Sequence, residues 1–411
     1  MSGNATANPT ANATLTLLYA MFVGFVLLRL SLGALILNEF MDYTTLEGST
    51  IEKIHPALYG IALVAIGLGL TQRIALASHD LAILRAIILF VVGMFCLLLM
   101  IAVSGRSTSA GYILDTYIVA CLAMFAMMAM PDSWRAPLGE LILLFLVLSA
   151  AVGIGEFLLK TRLLPYPGGE DSFRPTGLSD HPLQFGQWCA VGICFAGIIR
   201  RLSVRFIAVA VLLVGALVSG ARIASLAACV SCVIFLIFTP MPARTPMDSV
   251  QRKMMLAIAG VVGLVGVVGV MFAAGALSRL EGGLVDQSSQ ARIDVYRVFE
   301  FLSWREFLFG SDITQVQRLA RDIFNLPYIE SSLVVLIVQF GLIGALLFAF
   351  LLGNLFRALL RGRSTAVILG TLVYFGLALT NNQLSVKSAD MLMLGLLIMA
   401  DCSPRVRNAP A

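Results

Sequence analysis

Apolar residues run along this chain in long unbroken stretches that short polar segments separate. A helix needs about 20 apolar residues to cross a hydrocarbon core about 30 Å thick, and the stretches approach this length. The pattern predicts an all-α polytopic integral membrane protein whose residues 1–411 form a single membrane domain. It predicts about twelve spanning helices, near residues 14–37, 54–70, 81–103, 111–130, 138–159, 183–200, 204–220, 222–239, 254–277, 329–353, 365–382 and 388–402.

Composition supports a membrane location rather than a large buried core. Hydrophobic residues make up 59% of the chain and charged residues 12%, against roughly 25% charged residues in an ordinary soluble domain. Residues Met1 to Thr14 contain no Lys or Arg, so the first helix is expected to stay as an anchor rather than to act as a cleavable signal peptide. The seven cysteines lie in or beside apolar stretches, where a thiol behaves as a small hydrophobe, and no disulfides are expected.

The charges orient the predicted spans. One face of the twelve-span arrangement carries 14 basic and five acidic residues, and the other carries 13 basic and 18 acidic residues. Because short loops rich in Arg stay in the cytoplasm, we expect the first face and both termini to be cytoplasmic. The basic residues of that face are Arg73, Arg85, Arg135, Arg200, Arg201, Arg205, Arg244, Arg252, Lys253, Arg357, Arg361, Arg363, Arg405 and Arg407.

The two longest loops lie on the opposite, non-cytoplasmic face, at 160–182 and 278–328. Binding and catalytic residues are commonly found on such loops. In the longer loop, apolar residues recur at nearly helical spacing between 291 and 310, at Ile293, Tyr296, Phe299, Phe301 and Trp304. This spacing predicts an amphipathic helix at the membrane interface.

Ionisable residues within apolar stretches are functional candidates, because a charge in the bilayer is costly unless it faces a cavity or a partner. Arg222 follows Ser219-Gly-Ala at a turn between two spans, where its planar guanidinium could grip a phosphate. The alternative is that the Arg222 side chain extends to the lipid headgroups. For Arg29, Glu140 and Glu156 the alternatives are an intramembrane ion pair or a position near a helix end.

Two further candidates stand where long loops meet helices. Glu330 lies at the end of the second loop, where a partly desolvated carboxylate suits general-base chemistry. Its alternative role is that of an acid favoured by a helix N-terminus. His181 precedes Pro182, so His181 or Asp180 is alternatively a helix cap. The chain lacks H-E-x-x-H, Walker-type and Ser/His/Asp motifs, which leaves metalloprotease, ATPase and classical hydrolase activities without support.

Four segments between residues 160 and 345 together resemble the superfamily of O-antigen ligases and Wzy-type polysaccharide polymerases. Their order, spacing and position relative to the long loop carry the resemblance. They are Arg174-Pro-Thr-Gly177 with His181-Pro182; Ser219-Gly-Ala-Arg222; Arg292 with the segment that ends at Phe309-Gly310; and Glu330-Ser-Ser-Leu leading to Gly341-Leu-Ile-Gly344.

The resemblance implies a glycosyltransferase C-like fold in a bacterial inner membrane, with its active site facing the periplasm. The implied substrate is an undecaprenyl-pyrophosphate-linked oligosaccharide, used without a nucleotide sugar, a cofactor or a metal. The implied partners are membrane lipid, a flippase and a chain-length regulator, and no nucleic acid is involved.

The resemblance also implies roles for individual residues. Arg222 and Arg292 would bind the pyrophosphate and stabilise the leaving group, and Glu330 would take the proton of the acceptor hydroxyl. Arg174, His181 and Arg297 would contribute to substrate binding.

Polymerase and ligase activities both stay open, and so do two other classes of function. The ligase branch typically has a His where this chain has Glu330, which favours a polymerase of repeat units over an O-antigen ligase. A transporter of lipid-linked oligosaccharide would also have about twelve helices, commonly in two similar halves. A non-catalytic membrane scaffold is the fourth alternative.

Overall fold

The computed structural model describes residues 9–45, 48–49, 51–71, 78–105, 111–164, 166, 173–240, 251, 254–255, 260, 269, 294–324, 326 and 329–401. Within these ranges the regular structure is helical and no strand occurs. The predicted span at 254–277, the beginning of the second long loop and Arg292 lie outside the described residues, apart from a few isolated positions.

The helices follow one another in a simple order. In the first half they are α1 (Pro9–Ser31), α2 (Ala34–Leu37), α3 (Pro56–Thr71), α4 (Ser78–Val103), a π-helical segment (Ile113–Ile118) that continues into α5 (Val119–Met128), α6 (Asp132–Leu159), α7 (Pro182–Phe195) with a 3-10 turn (Ala196–Ile198), α8 (Leu202–Val218) and α9 (Arg222–Phe238). After residue 293 come a 3-10 helix (Val295–Phe301), α10 (Trp304–Phe309), α11 (Ile313–Phe324), α12 (Ser332–Leu360), α13 (Thr365–Leu379), a 3-10 turn (Gln383–Ser385) and α14 (Asp390–Ala400).

Four of these helices are long and apolar enough to cross a membrane: Ala13–Ser31 within α1, α4, α6 and α12. Shorter apolar helices account for the other described stretches that the sequence predicts as spans. Large apolar side chains such as Leu99, Leu148 and Phe350 are more than half exposed on the outside of the bundle, where lipid is a suitable solvent for them. The chain is therefore a helical, membrane-embedded protein.

Helix α7 and helix α14 lie at the centre of the bundle. Every residue of α14 is buried, and so is every residue of α7 except Leu183. Helices α6, α8, α9 and α13 pack around α7, and α5 and α6 pack on α14. The polar residues at the N-terminal ends of α7 and α14 consequently lie inside the protein and not against lipid.

Several loops meet at one end of the bundle, which we call the loop-rich end. It consists of the described residues of segments 32–55, 160–181, 219–221 and 380–389. The Asp180 carboxylate accepts from the Leu35 backbone N–H at 3.1 Å. Lys387 Nζ donates to the carbonyl groups of Tyr43 and Lys53, at 2.8 and 2.6 Å. These bonds join parts of the chain that are far apart in sequence.

The opposite end of the bundle collects basic residues that the charge pattern assigns to the cytoplasm. Arg135 pairs with Asp80 at 3.1 Å, Arg205 Nη2 donates to the Gly197 carbonyl at 2.9 Å, and Arg363 Nη1 donates to the Asp401 carbonyl at 2.7 Å. The two ends of the bundle thus differ in both loop length and charge.

Helix α12 is interrupted at Gly341, where φ is 74° and ψ is 169°. A side chain at this position would collide with the Leu308 carbonyl of α10, so the break allows α10 to pack directly against the backbone of α12. The Ser311 backbone N–H donates to the Val338 carbonyl at 2.6 Å. A backbone group of the long loop therefore satisfies a carbonyl beside the break.

The sequence predicts one amphipathic helix between residues 291 and 310, and the described residues there form two separate helical elements instead. The described part of 291–310 contains a 3-10 helix and the separate helix α10, because Ser303 and Glu306 form a capping box that starts a new helix. The strongly amphipathic element is α11. Its buried residues, Ile313, Val316 and Ala320, belong to a small apolar core with residues Val334, Val335 and Val338 of α12.

Some predicted helix bounds also shift. Helix α6 begins at Asp132 and contains Pro137 in its second turn, and α12 continues to Leu360. The sequence predicts that the first span continues to residue 37, but α1 ends at Ser31. Gly33 then adopts an extended conformation before α2. The Asp180 carboxylate beside the Gly33 backbone fixes this turn.

Candidate functional site

The first long loop is anchored by a buried carboxylate. Glu156, near the end of α6, is 4% exposed. Its two oxygens accept from the backbone N–H groups of Leu163, Thr176 and Gly177, at 2.8, 2.9 and 2.8 Å. Glu156 thus holds both ends of the described loop, and it positions residue 174 and its neighbours over the bundle.

Arg174 lies between this loop and the turn that precedes α9. Its Nε donates to the Ser219 carbonyl at 3.2 Å, and its own carbonyl accepts from Arg162 Nε and Nη2 at 3.0 and 2.8 Å. The Arg162 guanidinium stacks on the rings of Tyr166 and Phe173, at 4.4 and 5.1 Å from their centroids. The Arg162 guanidinium therefore links two aromatic rings of the loop to the Arg174 backbone.

His181 caps α7, which confirms the structural role that its position before Pro182 indicates. Its Nδ1 accepts from the Leu183 N–H at 3.1 Å, and the Tyr166 ring lies edge-on at 5.9 Å. Burial, together with the positive charges of Arg174 and Arg162, lowers the pKa of His181 to about 4. The ring is neutral at neutral pH, and the capping bond assigns its proton to Nε2.

Arg222 is the first residue of α9 and is half-buried. The preceding turn needs Gly220, whose φ is 66°, and Ser219 Oγ accepts from the Ala221 N–H at 3.2 Å. A Cβ built on Gly220 would lie 3.4 Å from Arg174 Nε. Arg174 therefore packs against the turn that positions Arg222.

Helix α7 also touches this turn. A Cβ at Gly186 would lie 2.7 Å from Ser219 Oγ, so only glycine lets α7 approach so closely. The structure thus brings together Arg174, His181 and the start of α9, three of the residues that the sequence singles out.

Glu330 stands at the same end of the bundle. It is half-buried and immediately precedes Ser331, the N-cap of α12. The Ser332 N–H donates to the Asn381 carbonyl at 2.9 Å, and Asn381 Nδ2 donates to Gln187 Oε1 of α7 at 3.4 Å. Within the described ranges, no hydrogen bond or ion pair joins Glu330 directly to Arg174, His181 or Arg222. Its role as a base stays a prediction.

Arg297 lies away from this group of residues. Its side chain is 54% exposed and sits 3.7 Å from Glu300 and 4.0 Å from Asp294, and its guanidinium lies 4.9 Å from the Phe324 ring centroid. These contacts are all local to the long loop. Substrate binding by Arg297 therefore stays a prediction, as does the role of Arg292.

A second polar group at the loop-rich end was missed by sequence reasoning. Asp115, in the π-helical segment, is fully buried; it accepts from the Tyr43 hydroxyl at 2.9 Å and from the His55 N–H at 3.0 Å. Lys387 Nζ lies 3.8 Å away, and Arg29 donates to the Asp115 carbonyl at 3.1 Å. An Asp within a predicted span was the available signal. The group ties α1 and the segment before α3 to the segment that precedes α14.

Asp390, at the start of α14, was also missed. It is 0% exposed, and its Oδ1 accepts from Trp188 Nε1 at 2.7 Å and from Gln184 Nε2 at 3.0 Å. A helix N-terminus stabilises an acid by up to about 2 kcal/mol, whereas burying an uncompensated charge costs several kcal/mol. The helix dipole alone does not account for a charged group here.

A groove of about 1090 Å³ lies between α4 and the long loop. Leu99, Met100 and Val103 of α4 form its apolar wall, while Arg305 and Asp312 contribute charge. Leu99 and Val103 are largely exposed on the outside of the bundle, so the groove is continuous with the surface that faces lipid.

Comparison of the chain with family models, with curated proteins and with solved structures returned no match.

Proposed function

We propose that this chain is a membrane glycosyltransferase of the Wzy-type polymerase class. It would transfer a growing glycan from a polyprenyl pyrophosphate carrier to a sugar hydroxyl of the next lipid-linked repeat unit. One observation carries the proposal: Arg174, neutral His181 and the turn before Arg222 meet at the loop-rich end, where Glu330 also lies.

The proposed topology has twelve spans, with both termini in the cytoplasm and the loop-rich end in the periplasm. The separation of long loops from the Arg-rich opposite end supports it. Helix α9 ends beside Pro240, whose carbonyl accepts from Arg205 at the opposite end. Val295 and Val298 pack with the first turns of α12, beside the loop-rich end. A proposed span at 254–277 supplies the crossing between these positions.

The proposed chemistry is a displacement at the anomeric carbon of the donor sugar. The acceptor oxygen forms a bond to that carbon as the bond to the pyrophosphate oxygen breaks. Arg222 and Arg292 would neutralise the charge that develops on the leaving pyrophosphate, with Arg174 as a further contact. Glu330 would accept the proton of the attacking hydroxyl, and His181 Nε2–H would donate to a phosphate or sugar oxygen.

The groove beside α4 supports a lipid-linked substrate. Its apolar wall opens toward the lipid-facing surface and its loop side is polar, which suits a molecule that has a hydrocarbon tail and a charged head. In this proposal the carrier tail lies along α4 while its pyrophosphate points to the loop-rich end.

The test is the length distribution of surface polysaccharide in cells that lack this protein and carry a complementing gene. Wild type should restore long chains, whereas Arg222→Ala, Arg292→Ala and Glu330→Gln should leave single repeat units, because each removes a charge used in the reaction. Arg200→Ala is the matched control: Arg200 is exposed at the opposite end, and this variant should restore long chains. Membrane levels of all variants are compared by immunoblot.

Two outcomes would contradict the polymerase assignment. Normal chain lengths in all three variants would show that these residues are structural. Polymerised glycan that is not attached to its acceptor in the deletion strain would show that the protein is a ligase instead.

Transport of lipid-linked oligosaccharide is the second candidate, and the interruption of α12 at Gly341 favours it, because transporters commonly contain broken helices. The location of the repeat units that accumulate in the deletion strain separates the two candidates. Units on the periplasmic side indicate a missing polymerase, and units confined to the cytoplasmic side indicate a missing transporter.

A further inference from the structure

The two oxygens of the Asp390 carboxyl group have different surroundings. Its Oδ1 accepts two hydrogen bonds, from Trp188 and Gln184, while its Oδ2 is buried and has no hydrogen-bond partner. The Gln383 side chain also lies within interaction range of the carboxyl group, and Oδ2 still has no hydrogen-bond partner of good geometry. Neutral donors thus satisfy Oδ1, while Oδ2 has no hydrogen-bond partner.

The charges around Asp390 do not compensate a carboxylate. None of the ion pairs between described residues includes it. Arg29 of α1 acts on it electrostatically, but the Arg29 guanidinium donates to the Asp115 carbonyl. The other titratable groups that interact with it are the phenols of Tyr117 and Tyr374, which are uncharged at neutral pH.

Two more buried polar atoms near these residues lack partners. The Tyr374 hydroxyl, on α13, has none, and neither does Gln187 Nε2, on α7. Gln187 lies one turn beyond Gln184, so it belongs to the same face of α7. Unpaired buried polar atoms are uncommon, and their presence on two helices that flank Asp390 indicates a site that takes up something small.

From this geometry we infer that Asp390 is a proton-binding site whose carboxyl group is neutral in the folded protein. The proton resides on Oδ2, the oxygen without a partner, while Oδ1 keeps its bonds to Trp188 and Gln184. A buried neutral acid lacks at most one hydrogen bond, whereas a buried carboxylate lacks a compensating charge.

The site lies beneath the loop-rich end and not against lipid. Gln184 and Trp188 follow His181 on α7, and the 3-10 turn at Gln383–Ser385 leads from Asn381 to Asp390. The proton is therefore exchanged through the loop-rich end. This inference does not depend on the proposed glycosyl transfer, since it uses neither Glu330 nor the arginines.

Infrared spectroscopy of the purified full-length protein in detergent tests the inference directly. At neutral pH exposed carboxyl groups are ionised, so a carbonyl band of a protonated acid reports a buried one. Wild type should show this band, and Asp390→Asn should lose it while keeping an oxygen for Trp188 and Gln184. Asp322→Asn is the control, because Asp322 is exposed on α11, and it should leave the band unchanged.

Thermal stability provides a second readout. The folded protein would keep a proton that the unfolded chain releases, so the apparent Tm of wild type should fall as pH rises above neutrality. The apparent Tm of Asp390→Asn should fall less over the same pH range.

The inference is overturned if the infrared band is the same in wild type and Asp390→Asn. It is also overturned if NaCl, but not choline chloride, raises the Tm of wild type alone, since that result means an ionised carboxylate that binds sodium. If Asp390→Asn does not accumulate, Asp390→Glu replaces it, and the inference is overturned if the band has the same frequency in wild type and Asp390→Glu.

Discussion

At the scale of single residues, burial and local partners decide what each polar side chain at the loop-rich end does. Glu156 has the same carboxylate as Glu330, yet three backbone N–H groups occupy its oxygens. His181 uses one ring nitrogen to cap α7, which leaves the other for a ligand. The side chains with all their acceptors occupied are therefore anchors, and the half-buried ones are candidates for chemistry.

His181 gives the folded protein a predictable dependence on acid. Its pKa is about 4 in the folded protein and 6.5 in an unfolded chain, so between these values only the unfolded chain binds the proton. The stabilisation is complete above pH 6.5 and is lost as pH falls toward 4, by about 3 kcal/mol at most. Thermal denaturation in detergent from pH 7 to pH 4 measures it.

His181→Asn is the matched variant for this measurement, because Asn caps helices well and does not titrate. It should lose less stability than wild type over the same pH range. Equal losses in the two proteins would show that the folded His181 binds protons as readily as the unfolded one.

The sequence identified some of these residues and missed others for a physical reason. Arg222 and Glu330 stand at the ends of apolar stretches, and both lie at the loop-rich end. Asp115 and Asp390 carry the same signal, an acid in an apolar stretch. Their significance depends on partners 72 and 202 residues away in sequence, Tyr43 and Trp188, and no local pattern encodes such distances.

At the scale of elements, the apolar stretches predicted most helices, and the departures arise where tertiary contacts override the pattern. Gly341 lies in an apolar run that reads as continuous helix. The break at this position depends on α10, whose backbone packs against it. The capping box of Ser303 and Glu306 was readable in the sequence, but the helical spacing of apolar residues across it suggested one longer helix.

Gly341→Ala should strongly destabilise the protein. The backbone conformation at this position is adopted almost only by glycine, and the new methyl group would collide with the Leu308 carbonyl. We expect a loss of at least about 2 kcal/mol, measured as a lower apparent Tm and a lower membrane level. Gly353→Ala, in the same helix with open space around it, should be neutral or stabilising by up to about 1 kcal/mol. Similar behaviour of the two variants would contradict the account of the break.

At the scale of the whole molecule, the arrangement of charges and loops gives the bundle two distinct ends. The hydrophobic pattern and the count of basic residues predicted this polarity. They could not predict that the described parts of segments 32–55, 160–181 and 380–389 meet, because these contacts arise from single hydrogen bonds between distant loops.

Cysteine labelling tests the proposed orientation. In a chain whose native cysteines are replaced by Ala, Glu39→Cys places an exposed thiol at the loop-rich end, and Arg361→Cys places one at the opposite end. A membrane-impermeant maleimide should label Glu39→Cys in intact spheroplasts and Arg361→Cys only after lysis. The reverse pattern would place the loop-rich end, and with it the candidate site, in the cytoplasm.

The bond from the Ser311 N–H to the Val338 carbonyl has a consequence for how the protein is made. The long loop is synthesised before α12, yet it completes the hydrogen bonding of α12 beside Gly341. An unpaired carbonyl is costly in hydrocarbon, so in the proposed topology α12 completes its hydrogen bonding only after the long loop has crossed the membrane and packed against it. That topology therefore implies an order of assembly, in which translocation of the long loop precedes the final packing of α12.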